Sequence, residues 1–241
     1  MIAWLKAGAP FPPVDAALES PNGLLAASDT LSAEQLIAAY PQGIFPWYSD
    51  GDPVFWWCPD PRMVLPIAEF HASRSLRKTL QEVAHDPAWE VSLDGDFEGV
   101  MRSCAAPRRG QDGTWISDEI VAGYCELARR DLAHAVEVRH QGELVGGIYG
   151  VAMGRMFFGE SMFSRVRDAS KIAISALVSI LSLEQVPVID CQQRTSHLAS
   201  LGAREITRRE FCTHVARSVR ESPVAWQSYR GVRLNRVLEA Y

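Results

Sequence analysis

The 241 residues suffice for one large domain, or for a modest domain beside a small one. A hydrophobic fraction of 47% and a charged fraction of 22% are ordinary for a globular chain and exclude disordered and fibrous classes. The net charge of −5 argues against nonspecific coating of nucleic acid, yet leaves room for a local basic patch.

Residues 1 to 62 hold nine of the 14 prolines and four of the seven tryptophans. Proline at that density predicts irregular, turn-rich structure with one short helix, because proline lacks the N–H that helix interiors and strand ladders need. Ser32-Ala-Glu-Gln35 is a capping-box pattern that starts the helix, and Gly43 ends it. The stretch reads as a small N-terminal domain, 1 to 62, packed on a larger one, 63 to 241. Lys6 and Pro10 to Pro13 break any leader-like run early, and no apolar run approaches the roughly 18 residues that span a bilayer. The expected location is the cytoplasm, with no membrane partner.

From Met63 onward the elements alternate more regularly. Residues 74 to 84 and 96 to 105 have helical spacing. Ser117 can cap a third helix, with Asp118 and Glu119 in its first turn, Arg129 and Arg130 in its last, and apolar positions Ile120, Tyr124, Leu127 and Ala128. The period then changes. Ala133 to Arg139, Leu144 to Met153 and Met156 to Phe163 read as three strands joined by turns at Gln141-Gly142 and Gly154-Arg155, an antiparallel meander. An apolar helix from Ile172 to Leu183, a buried strand from Val188 to Cys191, and helices over Ser196 to Leu201 and Arg208 to Val219 complete the pattern. The fold class is α+β. Meander, long helix and further strand is the order found in GNAT-like acyltransferase domains. Acetyltransferases hold the coenzyme A pyrophosphate on a glycine-rich loop after the third strand. The stretch here, Ser164 to Ser170, has no glycine, which disfavours acyl-CoA as donor.

Several clusters could carry chemistry. Gly43-Ile-Phe-Pro-Trp-Tyr48 and Phe55-Trp-Trp-Cys-Pro-Asp-Pro-Arg62 gather aromatic groups with polar tips, which suits either a domain interface or a stacking platform for a single-stranded nucleic-acid end. Gly113-Thr-Trp-Ile116 precedes a helix cap. Phe157-Phe-Gly-Glu-Ser-Met-Phe-Ser-Arg165 sets Glu160 within an apolar strand; an unpaired buried carboxylate is costly, so it should face a polar pocket or a cation such as Arg165. In Val188-Ile-Asp-Cys-Gln192, two-residue alternation puts Asp190 and Gln192 on one face. The five cysteines are dispersed without metal-ligand spacing, as expected of reduced thiols.

Together these stretches resemble the leucyl/phenylalanyl-tRNA–protein transferase family. The resemblance runs in order from Phe11-Pro and Pro21-Asn-Gly-Leu-Leu-Ala26 through Phe-Pro-Trp, Trp-Trp-Cys-Pro-Asp-Pro-Arg and Gly-Thr-Trp-Ile. It continues through Leu144-Val-Gly-Gly-Ile-Tyr-Gly-Val151, Gly-Glu-Ser-Met-Phe-Ser-Arg, Ala169-Ser-Lys171, Ile189-Asp-Cys-Gln192 and His197-Leu-Ala-Ser-Leu-Gly-Ala203. It covers nearly the whole chain to about Arg209, whereas residues 222 to 241 match nothing.

The resemblance implies transfer of Leu or Phe, with Met a further candidate, from aminoacyl-tRNA to the α-amine of proteins with N-terminal Arg or Lys. The added residue marks the acceptor for degradation. It also implies no metal or organic cofactor and work that a monomer can do. Carried over residue by residue, Trp47 and Trp115 would stack around the terminal adenosine with Tyr40 nearby. Phe157, Gly159 and Met162 would line an apolar pocket for the aminoacyl side chain, and Glu160, Asp190 and Gln192 would be the polar groups at the reacting centre. Basic candidates for the tRNA are Arg74, Arg77 and Lys78 on one helix, and Arg165, Arg167 and Lys171 beside the site; each also suits a solvated helix face.

Other readings use the same residues. One is an acyltransferase that takes acyl-CoA, or that builds peptidoglycan bridges from aminoacyl-tRNA; another is a tRNA-binding module without catalysis. A Cys191–His197 hydrolase is a third, weakened because alternation turns Cys191 opposite Asp190, into the core.

Overall fold

The computed structural model describes residues 2–106, 114 and 116–241. Among them the chain forms two sheets. The first gathers four strands from the proline-rich segment: β1 (Ala3–Leu5), β2 (Leu24–Ser28), β3 (Phe45–Pro46) and β4 (Val54–Trp57), in the order β1-β2-β4-β3. The expected turn-rich segment is therefore partly a sheet. Its prolines fall mostly between strands, and Pro46 sits in β3, which pairs only with β4, so its missing N–H interrupts no second ladder. Between β2 and β3 lies α1 (Ala33–Ala39), started by the anticipated capping box: Ser32 Oγ accepts from Gln35 N at 3.2 Å and Gln35 Oε1 accepts from Ser32 N at 2.9 Å.

The second sheet contains β5 (Arg62–Pro66), β6 (Trp89–Leu93), β7 (Ala133–His140), β8 (Glu143–Met153), β9 (Met156–Ser164), β10 (Val188–Gln192) and β11 (Arg204–Ile206). Its order is β11-β5-β10-β9-β8-β7-β6. The meander β7-β8-β9 is antiparallel, and β10 returns beside β9 in parallel. The helices are α2 (Arg74–His85), α3 (Phe97–Ala105), α4 (Asp118–Arg129), α5 (Ala169–Leu183), α6 (Ser196–Ser200) and α7 (Arg208–Ser218). Sequence periodicity locates the longer helices, but β5, β6 and β11 carry too few alternating residues to announce themselves.

Alternation within the sheet feeds two cores. Ala133, Ala135 and Phe158 face one core with α1, α3, α4 and α7; Val136, Val138 and Phe157 face the other with α2, α5 and the C-terminal segment. α5 is buried over nearly its whole length, from Ile172 to Leu181, which explains its uniformly apolar sequence. Each fully buried Leu or Ile there contributes about 1.5–3 kcal/mol. The N-terminal segment is clamped to α4 through Glu119, which accepts from Leu31 N at 2.8 Å and from Tyr48 Oη at 3.1 Å. No helix among the described residues is long and apolar enough to cross a membrane.

Candidate active site

The β9–β10 ladder is short, pairing only Phe157 with Ile189 and Phe158 with Asp190. Just beyond it, each strand leaves its regular register. On β9 the pairing with β8 steps from Gly159 opposite Gly150 to Ser161 opposite Tyr149, leaving Glu160 bulged. On β10 the pairing with β5 steps from Asp190 opposite Val64 to Gln192 opposite Met63, leaving Cys191 bulged. Bulges re-aim side chains, and adjacent bulges on neighbouring strands build a site where the ladder ends. Gly150 is required here, because a Cβ would lie 2.2 Å from the Phe158 carbonyl oxygen and 2.6 Å from the Phe157 ring.

The bulge overturns the simple alternation expected of Asp190 and Gln192. Gln192 takes φ +60°, and the two side chains part. Gln192 Nε2 donates to Glu160 Oε1 at 2.8 Å. Asp190 turns inward, 0% exposed, and accepts from Arg62 Nε at 2.8 Å and Nη2 at 2.6 Å. It also accepts from the Gln192 backbone N–H at 2.9 Å. Asp190 thus stands behind Gln192, out of reach of a substrate in this conformation.

Of the two surroundings expected for Glu160, a polar pocket or a cation such as Arg165, the structure shows the polar pocket. Arg165 donates instead to the Leu144 carbonyl at 2.9 Å and to Ser103 Oγ at 3.1 Å. Glu160 accepts from Tyr40 Oη at 2.7 Å and Tyr124 Oη at 3.1 Å, and the two hydroxyls lie 2.5 Å apart. These groups form a closed ring. With Glu160 ionised, two hydroxyl protons must serve three contacts; a carboxyl proton on Glu160 supplies the third. Burial also raises the Glu160 pKa, against the lowering effect of the tyrosine hydrogen bonds, to about 7. Burial first, and then the Glu160 charge, push both tyrosines well above the ordinary range. They are therefore neutral donors.

Tyr40 comes from the N-terminal segment, just after α1, and its ring lies 5.0 Å from that of Phe158. Tyr124 comes from α4 and reads in sequence as an apolar helix position; its hydroxyl is the one sign of a second role. Arg62 gave even less warning, since its partner is 128 residues away. Trp47 is 42% exposed and makes an edge contact with Trp57, ring centroids 5.7 Å apart. Trp115 lies outside the described residues. Phe157 is buried on the α5 face, Met162 is partly buried against the same core, and Gly159 lies against the Asp190 carbonyl.

The basic candidates fall in two groups. Arg74, Arg77 and Lys78 are exposed on α2. Arg167 and Lys171 flank Asp168 at the start of α5, at 3.4 and 2.8 Å. Cys191 is partly buried, and burial pushes its thiol pKa up, which removes the thiolate a hydrolase would need. Among the described residues no group of three or more His, Cys, Asp or Glu side chains is arranged to hold a metal ion.

Comparison with known proteins decides the family. A model described as leucyl/phenylalanyl-tRNA protein transferase matches residues 64–216, and one described as the N-terminal domain of that protein matches residues 29–60. The chain belongs to this family. The leucyl/phenylalanyl-tRNA–protein transferases of Burkholderia ambifaria and Burkholderia multivorans are 58% and 59% identical over 231 residues, spanning 94% of this chain and 91% of theirs. Among solved structures, L-PGS from Bacillus licheniformis aligns with a TM-score of 0.37 and 9% identity, over 73% of this chain and 57% of that one. A GCN5-related N-acetyltransferase-like protein from Streptococcus suis gives 0.34 and 15%, over 76% and 67%. Likenesses this distant fix neither fold nor function, and the family assignment stands on the close relatives.

Proposed function

We propose that this chain joins leucine or phenylalanine from aminoacyl-tRNA to protein N-termini at the cluster of Glu160, Gln192, Tyr40 and Tyr124. Family membership carries the reaction: the chain is an aminoacyltransferase, and its products are proteins whose original N-terminal Arg or Lys now follows Leu or Phe. The observation that carries the site is the double bulge, which brings a carboxylate, an amide and two phenols together where β9 and β10 part.

The aminoacyl ester is already activated, so the chief demands are orientation and stabilisation of the oxyanion. The α-amine attacks the ester carbonyl, the bond to the ribose oxygen breaks, and one proton passes from nitrogen to that oxygen. Because Gln192 Nε2 is engaged with Glu160, its Oε1 accepts nothing from the described residues and is offered to the incoming amine. An α-amine has a reference pKa of about 7.7–8.0, so part of it is neutral near pH 7. Glu160, with a pKa near the same range, is matched to take the proton; an ordinary carboxylate would be too weak a base. Asp190 acts through Gln192 as a positioning residue.

Trp47 supports the reading of a stacking face for the terminal adenosine, and Phe157, Gly159 and Met162 that of an apolar side-chain pocket. The antiparallel β7-β8-β9 meander, α5 and the parallel return of β10 support a GNAT-like core, with residues 1–62 as its N-terminal domain. A cytoplasmic monomer suffices for this chemistry. The test is transfer of radiolabelled leucine from Leu-tRNA to a model protein beginning with Arg, without added cofactor. Transfer that disappears with an N-terminal Gly acceptor supports the reading; absence of transfer with intact Leu-tRNA and folded enzyme contradicts it.

A further inference from the structure

Residues 222–241 lie beyond the stretch matched by the family model, which ends at residue 216. They are seated firmly. Leu234 N donates to the Val91 carbonyl at 2.7 Å, and Asn235 accepts from Val91 N at 2.9 Å and donates to the Val83 carbonyl at 2.8 Å. Leu234 and Leu238 are buried in the α5-side core. Arg230 pins the segment further, donating to Asp94 Oδ2 at 2.8 Å and Asp131 Oδ1 at 2.6 Å.

These anchors place Trp226, 3% exposed, against two other rings. It stacks on His134, with centroids 4.2 Å apart and planes 21° apart, and lies 5.8 Å from the ring of Phe157. His134 and Phe157 come together in the core with Leu93, Val136, Ile148 and Leu177. The space between these side chains admits no water molecule. His134 Nδ1 is bonded to Asp94 Oδ2 at 2.8 Å, whereas its buried Nε2 has no hydrogen-bond partner among the described residues. A buried imidazole nitrogen without a partner is costly, and the stacked indole and Asp94 hold the ring in that position.

We propose that Trp226 is a specificity-determining positioning residue: by backing Phe157 and His134 it sets the depth of the apolar pocket that receives the aminoacyl side chain, a branched aliphatic or aromatic group. This rests on the reading of Phe157 as a wall of that pocket. A side chain pressing on Phe157 meets the indole behind it. With the indole removed, Phe157 can retreat toward the vacated space, which favours the longer phenylalanyl group over the leucyl group. Shape discrimination of this kind spans roughly 10- to 200-fold per methylene.

The test compares kcat/KM for Leu-tRNA and Phe-tRNA in full-length Trp226→Leu, Trp226→Phe and Phe157→Leu variants. The expected result is a shift of the Phe:Leu ratio toward Phe by about tenfold in Trp226→Leu, carried mainly by KM, with a smaller shift in the same direction for Trp226→Phe. Leu238→Ala, which loosens the tail away from Phe157, should lower the Tm without moving the ratio. A role in stability alone would lower both donors together. An unchanged ratio in both Trp226 variants, with a changed one in Phe157→Leu, overturns the proposal and leaves the pocket reading intact. An unchanged ratio in all three removes both. Should Trp226→Leu fail to fold, the conservative Trp226→Phe decides.

Discussion

Arg62 grips Asp190 through two parallel hydrogen bonds, and neither side chain is exposed to solvent. The guanidinium lies between the rings of Phe45 and Phe211, 4.7 and 4.3 Å from their centroids, and its third contact is the Gly43 carbonyl at 3.0 Å. Burial pulls the Arg62 pKa down, but the Asp190 charge and hydrogen bonds outweigh it and hold the group above its usual value. One ion pair thus ties the N-terminal segment, β5 and β10 together directly behind Gln192.

Removing either partner leaves an uncompensated buried charge, so Arg62→Met and Asp190→Asn should each lose about 3–5 kcal/mol in urea unfolding. Replacing both, as in Arg62→Met with Asp190→Leu, should recover much of that stability. It should not recover transfer, because the Gln192 backbone N–H loses its acceptor. A stable, fully active double variant would show that the pair does not position Gln192.

The Glu160 pKa, raised from 4.5 to about 7, gives stability a definite pH dependence. The folded state binds more protons than the unfolded one across that window, so this contribution is complete below about pH 4.5 and is lost as pH rises through 7. Its upper bound is about 3 kcal/mol. Glu160→Gln should flatten the stability profile between pH 5 and 7.5, measured by denaturant unfolding at each pH.

The tyrosine hydroxyls lower the Glu160 pKa, so removing one should raise it further. Tyr40→Phe is expected to move the lower limb of the kcat/KM pH profile upward while leaving Tyr124 as donor. A downward shift would mean that Glu160 is not the titrating group.

How much of this was legible in the sequence depends on range. The Ser32–Gln35 capping box, the meander turns and the apolar α5 are local patterns, and they appear where the sequence put them. The N-terminal sheet escaped because its strands are short and separated by prolines. Asp190 and Gln192 were expected to share a face because alternation assumes an unbroken ladder; the bulge at Cys191 and the positive φ at Gln192 depend on β5 and β9, not on neighbours in sequence. The Glu160 partners lie 32 to 120 residues away, beyond any spacing rule.

The two glycines facing each other at the β9 bulge should respond differently to alanine. Gly150→Ala drives a Cβ to 2.2 Å from the Phe158 carbonyl oxygen and should destabilise by several kcal/mol. Gly159→Ala meets the Asp190 carbonyl at 3.2 Å, a contact relieved by a small shift. It should cost about 1 kcal/mol but lower transfer by separating β9 from β10. Thermal unfolding beside single-turnover transfer separates the two effects.

If Arg74, Arg77 and Lys78 meet tRNA phosphates, the affinity for Leu-tRNA should fall steeply with salt. Replacing all three with Gln should then reduce the slope of log Kd against log salt by about 2–3. An unchanged slope excludes α2 from the interface.

The most direct test of the central claim is the single-turnover rate of leucine transfer as a function of pH, in wild-type protein and in Glu160→Gln. The expected wild-type profile has a limb near pH 7, matching the raised pKa of Glu160. Glu160→Gln should lose that limb and run at least about a hundredfold slower, with Leu-tRNA binding retained. A Glu160→Gln enzyme that keeps both the rate and the limb would contradict the assignment of the Glu160 cluster as the reacting centre.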